Sequence, residues 1–107
     1  MLLPDSLLPN QRVLLLGIPE LAVVVDLAQR LSEGLLVAIG DEERVREARR
    51  ICSDLDNVMF ALFDGKQIPW QNGFFDAVFD VRGESAEELR NEIERVTEAS
   101  SKGAGRP

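Results

Sequence analysis

A chain of 107 residues with 45% apolar and 29% charged side chains is long enough for one globular core and little more. Its formal charge of −7, from 19 acidic against 12 basic residues, argues against a surface built to displace counterions from a nucleic-acid backbone. One cysteine and no histidine exclude an internal disulfide and any Ser-His or Cys-His catalysis, and remove the commonest metal ligand.

In chain order, residues 1–11 read as an irregular arm, apolar at Leu2, Leu3, Leu7 and Leu8 but broken by Pro4 and Pro9. This start has no basic n-region, no apolar run approaches the roughly 20 residues of a membrane span, and the single cysteine implies no disulfide scaffold, so a reducing, cytoplasmic setting is expected. Arg12 to Gly17 (RVLLLG) is a continuous apolar run closed by glycine, as a parallel strand buried on both faces requires. Pro19 suits the first position of a helix and Glu20 its positive end, and Leu21 to Leu31 is apolar almost all round. Gly34 ends that helix, and Leu35 to Ile39 gives a second buried strand.

Asp41 can cap the next helix, whose apolar stripe is Val45, Ala48, Ile51 and Cys52. Cys52 thereby reads as a buried small hydrophobe. Arg46, Arg49 and Arg50 form a basic cluster, but Glu42, Glu43 and Glu47 interleave at helical spacing, which is the pattern of a solvated face. Asn57 to Phe63 supplies a third strand and Phe75 to Val81 a fourth, with the turn-rich segment Asp64 to Gly73 between them. Ser85-Ala86-Glu87-Glu88 is a capping box, followed by Ala86, Leu89, Ile93 and Val96 at helical spacing through Ala99. Residues 12–100 then make one domain and 101–107 a polar tail.

This alternation predicts an α/β, Rossmann-like three-layer sandwich: about four parallel strands in the order 3-2-1-4, with helices on both faces. In such a sheet the ligand crevice lies beyond the carboxyl ends of the strands, here the loops beginning at Gly17, Gly40, Phe63 and Val81.

The stretch Asp64 to Phe79, DGKQIPWQNGFFDAVF, resembles the block that closes the third strand and opens the fourth in class I S-adenosylmethionine methyltransferases of the small-molecule type. The resemblance covers roughly Arg12 to Ala99, the half of that fold that holds cofactor. It implies that Asp64 meets the adenine of S-adenosylmethionine, that Ile68 lines its pocket, and that Asn72-Gly73 turns into the fourth strand. By the same resemblance Gly17 belongs to the cofactor loop and Asp41 stands near the place of the acid that binds ribose. From the residues alone, Ile68, Trp70, Phe75 and Val78 read as core and Asp76 as a strand-edge group bonding local backbone. Asp64 reads equally as a loop cap, and the position of Asp41 before Glu42-Glu43-Arg44-Val45 favours a helix cap.

The family's first signature, an acid followed by spaced glycines, departs here. Leu15-Leu16-Gly17-Ile18-Pro19-Glu20-Leu21 keeps only the first glycine, with leucine for the acid, proline for the second glycine and leucine for the third. Bare glycines let backbone approach a ligand closely; proline fixes φ and lacks an N–H. The expectation is therefore a degenerate methyltransferase-like domain, non-catalytic alone, without a bound cofactor, and acting as an interaction or assembly module in a homodimer or with a larger protein partner. No catalytic or metal-binding residue is assigned, and neither nucleic acid nor membrane is expected as a partner. The alternative is a methyltransferase or sensor that retains an S-adenosylmethionine pocket. A receiver-like signalling domain ranks last, because Gly17-Ile18 stands where an acidic pair would hold Mg²⁺.

Overall fold

The computed structural model describes residues 8–81 and 89–97. The elements are β1 (Arg12–Leu16), α1 (Leu21–Arg30), β2 (Leu35–Gly40), α2 (Glu42–Ile51), β3 (Val58–Leu62), β4 (Ala77–Asp80) and α3 (Arg90–Thr97). The strands form one parallel sheet in the order β3-β2-β1-β4, as the sequence predicts. Its register sets Leu14 opposite Val37 on one side and Val78 on the other.

The unbroken apolar run of β1 follows from its central place. Val13, Leu14, Leu15 and Leu16 are all 0% exposed, and the alternation of the strand sends them into two different cores. Val13 and Leu15 join Val24, Leu27 and Leu31 of the α1 segment and Val45 and Ala48 of α2. Leu14 and Leu16 join Ile68, Phe75, Leu89 and Val96 on the opposite face. The apolar stripe of α3 therefore lies on the sheet face, with Ile93 packed at its margin. The proposed capping box, Ser85 to Glu88, lies outside the described residues, as does the tail.

Two boundaries differ from the sequence reading for identifiable reasons. Pro19 is not the first helical residue: Glu20, at φ −57° and ψ 141°, is the N-cap, its carbonyl accepts from the Val23 N–H at 2.9 Å, and α1 starts at Leu21. Phe75 does not open β4, because its N–H donates to the Val96 carbonyl at the end of α3 at 2.9 Å; pairing with β1 holds from Ala77. Asp76 stands at a strand edge and bonds backbone, but the partner is distant rather than local. Its carboxylate accepts the Arg12 N–H at 2.8 Å and its own N–H donates to the Arg12 carbonyl at 2.7 Å, which fixes where β1 begins against β4. The Arg12 guanidinium stacks 4.6 Å over the Phe74 ring.

Cys52 is 5% exposed at the end of α2, and burial, followed by the neighbouring Asp54 charge, pushes its thiol above the ordinary value. Reaction with a thiol reagent at pH 8 is expected to run at least about tenfold slower in the folded chain than in denaturant. Equal rates in the two states would show that this corner of the core is open.

Candidate functional site

The carboxyl ends of β1, β2 and β3 open onto a cleft of about 430 Å³ whose lining includes Gly17, Gly40, Asp41, Arg44, Asp64 and Gly65. Three of the four residues that the resemblance selects, Gly17, Asp41 and Asp64, thus share one cavity although 47 positions separate the first from the last (64 − 17). Ile68 is elsewhere: it is 1% exposed and packs with Leu14, Leu16, Val37 and Phe75 beneath α3.

Both carboxylates in the cleft are engaged locally. The Asp41 carboxylate accepts the Arg44 N–H at 2.9 Å, capping α2. Asp64 folds its carboxylate over the following turn and accepts the Lys66 and Gln67 N–H groups at 2.8 and 3.0 Å. Those two bonds, the Gln67 one foremost, hold its carboxyl below the ordinary carboxylate range, so it is an anion and an acceptor at neutral pH. Gly17 sits at φ 104°, a conformation that side chains disfavour, and its N–H still donates to the Ile39 carbonyl at 2.8 Å.

The loop after β1 closes on the cleft from the other side. The Ile18 side chain packs so near Gly40 that a Cβ there would stand 3.3 Å from it. From the first turn of α2 the Arg44 guanidinium reaches back and donates to the Ile18 carbonyl at 2.5 Å and the Pro19 carbonyl at 3.3 Å. Sequence reading missed Arg44, since an arginine three residues after a helix cap looks like any solvated helix cation. Nor, among the described residues, is there a buried acid: the Leu15 side chain lies in the α1/α2 core, where an ionised carboxylate would be costly.

The turn region 68–73 is instead a docking seat for α3. The Glu92 carboxylate accepts the Ile68 N–H at 2.8 Å, and Arg95 donates to the Ile68 and Trp70 carbonyls at 2.8 and 2.7 Å. Trp70 packs against Phe75 with ring centroids 5.6 Å apart. Among the described residues no group of three or more His, Cys, Asp or Glu is placed to hold a metal ion, and no helix is long and apolar enough to cross a membrane.

No protein-family model and no curated protein matches the sequence. Solved structures do match. A chain from Haloferax volcanii, a methyltransferase candidate solved with the Trm112 methyltransferase activator, superposes with a TM-score of 0.73 at 21% identity, over 85% of this chain and 42% of its own. A methyltransferase candidate from Bacillus halodurans gives 0.70 at 20% identity over 85% and 42%, and Rickettsia typhi PKMT2, in complex with AdoHcy, gives 0.63 at 17% over 82% and 18%. The fold is that of a class I methyltransferase, in part. This chain spans about two fifths of the length of the first two of these solved structures.

Proposed function

We propose that this methyltransferase-like domain has given up its cofactor loop, transfers no methyl group alone, and serves as an assembly module. The observation that carries the reading is the clasp of Arg44 and Ile18 across the cleft, which occupies the loop carbonyls and the space over Gly40 that a ligand lying along β1 and β2 would need. Leucine, proline and leucine at positions 15, 19 and 21 agree with it, since none lets backbone approach a nucleoside as glycine does.

The assembly role rests on β4. Among the described residues no strand pairs with its outer side, and Ala77, Val78 and Phe79 are only half-buried there. An apolar sheet edge of this kind favours pairing with a further chain. The solved relatives are more than twice as long, and one of them is held in a complex with a second protein. Light scattering on the purified chain at about 50 μM is expected to give the mass of a dimer. A strictly monomeric mass would count against self-assembly, and co-purification from the native source would then have to bring a larger partner for the reading to stand.

A second reading is favoured by one observation: Gly17, Asp41 and Asp64 converge on the same cleft. On this reading the domain is a sensor or reduced methyltransferase that keeps an S-adenosylmethionine pocket, with Asp64 accepting from the adenine amino group and Asp41 from the ribose.

A further inference from the structure

The other edge of the sheet, β3, carries a different device. Leu36 N–H donates to the Asn57 carbonyl and Phe63 N–H to the Gly40 carbonyl, each at 2.9 Å. In a parallel ladder with this register, Leu36 opposite Val58 and Ala38 opposite Phe60, alternate residues bond to the neighbouring strand. Asn57, Met59, Ala61 and Phe63 thus turn their main chain toward β2, and Val58, Phe60 and Leu62 turn theirs outward. The edge strand carries exposed apolar side chains, with Met59 48% and Leu62 56% exposed. A row of outward amides beside apolar side chains is a template for strand addition.

At the middle of that row the outward Phe60 carbonyl accepts a hydrogen bond of 2.8 Å from Arg49 Nη2, which reaches over from α2. We infer that Arg49 guards the β3 edge: its guanidinium takes the central acceptor that an added strand would need and sets a charge where that strand would lie. The guard explains why Arg49 points at the sheet while its neighbour Arg46 pairs with Glu42 on the helix surface at 2.8 Å. The competitor excluded is a second copy of this chain, because two β3 edges can pair antiparallel about a two-fold axis and close.

The test compares masses by light scattering with that of the parent chain, whatever the parent's own assembly, so it stands apart from the β4 reading. Arg49→Met keeps the aliphatic stem and removes the donors; its mass is expected to rise about twofold over a monomeric parent, and at least twofold over a parent already paired through β4, at the same concentration. Adding Val58→Pro, which deletes an outward N–H that no ladder bond uses, is expected to restore the parent mass. Arg49→Lys, which keeps charge and donor, is expected to match the parent. An Arg49→Met mass equal to the parent's overturns the inference, as does a raised mass that survives Val58→Pro. Val58→Pro alone is expected to leave the parent mass unchanged; a fall would show that the edge is already in use and unguarded.

Discussion

Gly34→Ala is expected to destabilise the fold by about 3 kcal/mol and to lower its melting temperature by about 15 °C. Gly34 lies in the tight connection from α1 to β2, where its N–H donates to the Leu31 carbonyl at 2.9 Å. A Cβ at this position would fall on the Gln11 carbonyl oxygen, and at 3.0 Å from the Asn10 and Gln11 carbonyl carbons. All of these are backbone atoms, so no side chain can swing aside. The same segment bonds Leu35 N–H to the Gln11 carbonyl at 3.1 Å and begins the Arg12–Leu35 register, so relief means moving the start of the central strand pair. Gly65 offers the contrast. It has φ +86° and open space around it, so Gly65→Ala meets only backbone strain and is expected to cost about 1 kcal/mol. Thermal unfolding of the two variants side by side decides the matter; a Gly34→Ala melt within a few degrees of the parent would show that the connection is looser than described.

Arg95→Met is expected to cost about 2–3 kcal/mol, because one guanidinium ties α3 to the turn before β4. Besides its two main-chain acceptors, Arg95 donates to Asn72 Oδ1 at 2.9 Å and to both Glu92 oxygens at 2.9 and 2.8 Å. The pair is partly sheltered, with side chains 30% and 19% exposed. The methionine stem keeps most packing, so the loss reports the bonds. Glu92→Gln in the Arg95→Met background is expected to add much less than it costs alone, since the two groups share partners.

The pair also sets an acid limb. The Arg95 hydrogen bonds first, and the Ile68 N–H second, hold the Glu92 carboxyl below its ordinary value of 4.5. A carboxyl whose value is depressed in the folded state stabilises fully above its unfolded value, and that contribution is lost as pH falls through the folded one. Stability is therefore expected to decline below about pH 4.5, and Glu92→Gln to flatten the decline. An unchanged acid limb in Glu92→Gln would show that the carboxylate gains nothing from its partners on folding.

Periodicity is a strong signal where burial is two-sided, which is why the Arg12–Leu16 run and the Leu35–Gly40 run gave away the centre of the sheet. Alternating helices of ordinary length then left few orders for the strands to take. The α3 stripe of Leu89, Ile93 and Val96 was legible for the same reason, and its seat on the sheet face followed. What the chain does not display are contacts between segments far apart. Asp76 closing on Arg12, Asn57 donating to the Ala28 and Leu31 carbonyls at 2.8 Å, and Glu92 holding Ile68 all join polar side chains to distant backbone. No periodicity marks such residues. Ile68 illustrates the reverse case, in which a motif gives the position but not the role: the same Ile-Pro-Trp turn that suggests a pocket wall is core and helix seat here. Arg44 and Arg49 read as solvated cations, yet each leaves the helix surface for a main-chain carbonyl.

Calorimetric titration of the chain with S-adenosylmethionine and S-adenosylhomocysteine reaches the cleft directly. A loop already clasped by Arg44 and filled by Ile18 predicts no heat of binding up to about 1 mM of either ligand. Saturable binding at tens of micromolar, lost in Asp64→Ala, would mean that the nucleoside displaces the clasp and that the pocket survives.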